Sequence, residues 1–179
     1  ELLFRLCRCR YFLGSTIVMI VLIAALSITG SLAFACAAPL AAIAALAAFS
    51  MSRKTGSALV VTAWLSNQIV GFGLLHYPQA FDTFAWGAAL GVSTIVAFLV
   101  AHAVVQRMHG HALALTLPVA FLIAFAIYQL ALYVTGMPLE GSEATLSGAV
   151  VARVFEVNLV SFAALVVLHL AWSHFARPE

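Results

Sequence analysis

Cys36 sits inside Ala33–Ala48, AFACAAPLAAIAALAA, a single thiol in a long run of alanines. A thiolate is a soft, strongly donating ligand for transition metals, whereas a neutral cysteine packs like a small apolar residue. Both readings stay open for Cys36. A second group lies in WLSNQIVGFGLLHYP, where Asn67 and Gln68 are followed by His76 and Tyr77. Amides at this position either hydrogen-bond to a ligand or tie neighbouring helices together. Arg153 and Glu156 stand three residues apart, a spacing at which the two charges can neutralise each other on one helix or face a ligand together. Trp86, Tyr128 and Tyr133 add aromatic rings with polar edges. His109 and His111 in RMHGH, and Cys7 and Cys9 near the start, are metal-ligating types, but a pair on a short stretch makes no recognisable metal site.

The rest of the chemical inventory is thin. There is no phosphate-cradling glycine loop with its lysine, no HExxH pair, no GxSxG turn and no Ser–Lys arrangement. No constellation argues for an enzyme or for a bound nucleotide, and whether any reaction occurs is left open.

The elements that must position these residues are set by composition. The chain has 179 residues, 65% hydrophobic and 8% charged, with a mean hydropathy of +1.13. Soluble domains carry about 25% charged residues, so an aqueous surface of ordinary polarity cannot be built from this chain. The apolar runs are continuous rather than alternating, which points to helices and away from a membrane barrel. A net charge of +2, thinly spread, gives no footing for nucleic acid. No pattern resembles a cleavable signal peptide.

Six apolar segments can be read, at roughly residues 11–28, 32–49, 58–75, 84–106, 113–134 and 146–175, broken where charges, glycine and proline collect. Cationic residues gather on the cytoplasmic side of membrane helices. Arg5, Arg8 and Arg10 precede the first segment, Arg53 and Lys54 follow the second, Arg107 follows the fourth and Arg177 follows the sixth. The other connections hold no Lys or Arg, and two of them carry Asp82, or Glu140 and Glu143. The expectation is an all-α polytopic membrane protein with six transmembrane helices, both termini cytoplasmic, and one domain over residues 1–179.

That topology assigns depths. Cys36 falls near the outer end of the second segment, and Asn67 and Gln68 lie at mid-membrane. His76 and Tyr77 fall at the outer rim, and Tyr128, Gln129, Tyr133, Arg153, Glu156 and Asn158 in outer halves. Polar groups inside a bilayer are costly and usually face an interior or a water-filled cavity. Their gathering on one side predicts a pocket open to the outside above an apolar plug. The bare inner half argues against a channel, and the absence of repeats against a self-driven transporter.

On the cysteine and alanine pattern of AFACAAPLAAIAALAA, the chain resembles the substrate-binding membrane subunits, or S components, of energy-coupling factor vitamin transporters. The resemblance implies six helices and an outward pocket for a vitamin. It implies a docking face of small residues (Ala37, Ala41 and Ala45, with Ala38 and Ala42) for an energy-coupling transmembrane and ATPase module, or no partner in solitary members. The outer cysteine points within that family to the cobalamin-specific members, with Cys36 as cobalt ligand and multi-pass location in a bacterial inner membrane. Asn67, Gln68, His76, Tyr77, Trp86, Tyr128, Tyr133, Arg153 and Glu156 would then contact the corrinoid, and thiolate-driven exchange of a cobalt ligand becomes conceivable. Two other classes stand beside this one. His102 and His169 are residue types that could ligate a b-type haem, and composition alone would suit a structural subunit of a larger membrane complex.

Overall fold

In the computed structural model, residues 38–108, 110–139 and 141–175 are described. They contain helices α1 (Leu40–Ser50), α2 (Arg53–Ile69, continued by a π turn over Val70–Leu74), α3 (Phe81–Arg107), α4 (Leu113–Gly136), α5 (Ser142–Thr145) and α6 (Gly148–Phe175), and among these residues there is no strand. Four of them, α2 with its π turn, α3, α4 and α6, are long and apolar enough to cross a membrane. The chain is therefore an all-helical protein of the multi-pass membrane type.

The third to sixth apolar segments reappear with shifted ends. α2 begins five residues ahead of the apolar run because Ser52 caps it, its hydroxyl accepting from the Thr55 N–H at 3.4 Å. A capped polar turn adds helix that hydropathy cannot register. A separate turn, α5, precedes the sixth segment, and α6 begins at Gly148, two residues into it. The first segment lies outside the described residues, as do Cys7, Cys9, Cys36, Ala37, His109 and Glu140.

The second segment differs most from expectation. Ala38 and Pro39 are not helical, and α1 starts only at Leu40. Proline disfavours helical backbone in the residue before it, so alanine propensity carries the helix forward from Pro39 but not back through it. Eleven residues at 1.5 Å rise span only about 16 Å, roughly half of a 30 Å hydrocarbon layer.

This short helix is the centre of the molecule. Every residue from Leu40 to Ala48 is buried, and α2, α3, α4 and α6 all pack on it. The alanines permit this, since small side chains let several helix backbones approach one axis. Around it, α3 and α4 make the most extensive pairing. Phe121 of α4 stacks on Phe162 of α6 with ring centroids 4.9 Å apart, and Phe125 meets Phe155 edge-on at 5.0 Å. At the opposite end from Leu40, Phe98 of α3 fills the space over Gly56 of α2 and is stacked on His102. Outward faces carry bare Ile69, Leu74, Val134, Val160 and Val167, as lipid contact requires and water does not favour.

Candidate functional site

The start of α1 lies in the interior of the bundle. A helix leaves its first N–H groups without intrahelical partners, and Pro39 offers no side-chain cap. The N–H of Ala42 instead donates to Oδ1 of Asn158, at 3.0 Å, from α6. Asn158 is fully buried, and its Nδ2 donates in turn to the Val154 carbonyl at 2.8 Å. One amide thus satisfies a foreign helix end and its own preceding turn. Asn158 is the tenth residue along α6 after Gly148, so α1 begins roughly 15 Å along that helix and not at the rim of the bundle.

A second polar group joins α2, α3 and α4. Trp64 donates Nε1–H to the Gly87 carbonyl at 2.8 Å, and its ring lies over Gly91, where a Cβ would fall 2.6 Å from it. Gln68 lies over Gly87, where a Cβ would come 2.5 Å from Oε1. Trp86 seats its ring on Gly136 of α4 in the same way. Beyond these, α2 changes pitch: Val70–Leu74 is a π turn closed by the Leu75 N–H on the Val70 carbonyl at 2.9 Å. His76 then takes a left-handed backbone with φ 53°, and the Tyr77 N–H reaches back to Gly71 at 3.1 Å. Irregular backbone at the end of an apolar helix is accommodated where protein or water can satisfy it.

The expected site residues are distributed among these features. Asn67 and Gln68 are half-buried on α2, and Trp86 is half-buried on α3. Tyr77 packs on Gly71 and against Phe72 with ring centroids 6.2 Å apart, while His76 is exposed. Tyr128 is buried in the core of the bundle, and Tyr133 is 52% exposed on the outside of α4. Arg153 and Glu156 are exposed; at 3.6 residues per turn they lie about 140° and 160° round α6 from Asn158. They line a recess of about 200 Å³ with Val157, Val160 and Ser161, all of α6. Neither takes part in an ion pair among the described residues, so of the two readings their spacing allows, mutual neutralisation is not realised here.

Packing sets the surroundings of two further groups named in the sequence. Ala41 and Ala45, of the small-residue face, are 0% exposed, enclosed by the chain's own helices. His102 is drawn to α1: its Nδ1 lies 3.2 Å from the Ala48 carbonyl oxygen and its ring stacks on Phe98 at 5.6 Å. That nitrogen serves the carboxyl end of α1.

Asn158 was placed among the outer polar groups but not among the site residues, and Trp64 was not singled out. The signal for Asn158 was Pro39, which starts α1 without a side-chain cap and so demands a polar group from elsewhere. For Trp64 it was the pair Gly87 and Gly91, a notch at four-residue spacing in a stretch already rich in small residues.

Four long apolar helices packed around a short buried one define a multi-pass helical membrane protein. Comparison with protein-family models, with characterised proteins and with solved structures finds no match to this chain.

Proposed function

We propose that this chain is a membrane-embedded binding subunit for a cobalt corrinoid, cobalamin, with the Cys36 thiolate as an axial ligand of cobalt. The observation that supports it is the start of α1 inside the bundle, beside Asn158. Discontinuous helices with their amino ends at membrane depth are a recurrent way of building substrate sites in transporters. Cys36 stands four residues before Leu40 in sequence, and a helix amino end lowers a neighbouring thiol's pKa and so favours the thiolate that binds metal. The amides and rings of Asn67, Gln68, Tyr77 and Trp86 suit the amide-rich edge of a corrin ring. In this reading the chain has six spans with both termini in the cytoplasm of a bacterial inner membrane. It delivers the vitamin inward with an energy-coupling module or alone.

Purified protein incubated with hydroxocobalamin tests this. Stoichiometric cobalt and shifted corrinoid absorption bands are expected, both abolished in Cys36→Ala and Cys36→Ser while each variant remains folded. Cobalamin bound with unchanged spectrum and affinity by Cys36→Ala would remove the reading. Reporters inserted at Gly141 and fused after Phe175 should report opposite sides of the membrane, and the same side for both would end the six-span topology.

A further inference from the structure

The recess on α6 is independent of that reading. It holds two opposite charges on a membrane helix, Arg153 and Glu156, both exposed and outside any ion pair among the described residues. An uncompensated charge in hydrocarbon is expensive, so the occupant of this face must answer both signs at once. α6 has 28 residues, or about 42 Å at 1.5 Å per residue, some 12 Å more than the hydrocarbon layer. Arg153, five residues after Gly148, therefore lies near a headgroup boundary. Helical side chains lean toward the amino end of their helix, which brings Glu156 toward the same boundary. Deeper along the same face the charges give way to exposed Val160 and Val167, a surface for an acyl chain. At about 200 Å³ the recess is below the roughly 300–1,000 Å³ of drug-sized ligand sites, and of a size for a headgroup.

The geometry points to a site for a zwitterionic phospholipid with a primary ammonium: phosphatidylethanolamine, its phosphate on Arg153, its ammonium on Glu156 and an acyl chain along Val160 and Val167. Each contact is a charge-assisted hydrogen bond, and Arg suits phosphate in particular. A choline headgroup has no N–H to donate to Glu156, and a glycerol headgroup carries no positive charge.

The test is native mass spectrometry of the full chain, delipidated and then titrated with equal amounts of phosphatidylethanolamine, phosphatidylcholine and phosphatidylglycerol. The parent chain should retain phosphatidylethanolamine about tenfold more tightly than the other two. Arg153→Gln and Glu156→Gln should each lose that preference while keeping the parent's melting temperature in detergent, since both side chains are exposed. Equal retention of the three lipids by the parent, a reading that needs no variant, would overturn the proposal. So would an unchanged preference in both variants, or equally tight binding of soluble phosphoethanolamine, which would make the ligand a free metabolite. A lipid-free dimer dissociated by Glu156→Gln would assign the face to a second copy of the chain instead.

Discussion

The Ala42 N–H and the Asn158 Oδ1, 116 positions apart in the chain, meet at 3.0 Å in the buried centre of the bundle. This bond lets a helix begin where no water can serve its first turn. It couples the position of α1, and whatever precedes it, to the rotation of α6.

Asn158→Ala should therefore destabilise the fold by about 1–3 kcal/mol, the cost of leaving a buried donor unsatisfied. Unfolding in a mixed-micelle titration measures it. A midpoint equal to the parent's would mean that the Ala42 N–H finds another acceptor.

Ala41→Leu should harm folding rather than partner docking. With Ala41 enclosed by neighbouring helices, three added carbons force side chains and backbones apart, at about 1–3 kcal/mol or more. A monodisperse, normally melting Ala41→Leu protein defective only in coupling to a partner would instead support the docking role.

Gly136 and Trp86 should behave as one unit. A Cβ at Gly136 meets the indole 2.6 Å away, so Gly136→Val should lower stability by about 1–3 kcal/mol. Combined with Trp86→Ala, which empties that space, the loss should be smaller than the two single losses added. Simple additivity in that cycle would show that the ring moves aside freely.

His76→Gly should raise stability by up to about 1 kcal/mol, because only glycine holds a positive φ without a Cβ penalty. Thermal unfolding reads the gain, and cobalamin titration runs beside it. Stability unchanged or lowered would show that the imidazole makes contacts worth more than the strain.

Class and element type were legible in the residues because both follow from local chemistry. A chain with 8% charge must shed water, and continuous apolar runs in lipid must satisfy their backbones as helices. The third to sixth segments were recovered to within a few residues for that reason. The start of α1 at Pro39 was missed, because hydropathy ran straight through it.

Which residues meet was decided only by tertiary structure. Hydropathy ranks Leu40 and Val160 alike, yet one is fully buried and the other 67% exposed, because lipid and protein interior are equally apolar and periodicity cannot tell them apart. Asn158 and Arg153 look alike as polar intrusions into one helix, but their angular separation sends one to the centre and the other to the rim. The alanine stripe advertised close approach without naming the partner, which proved to be the chain's own helices. Small size permits contact from any side, and only the assembled bundle chooses among them.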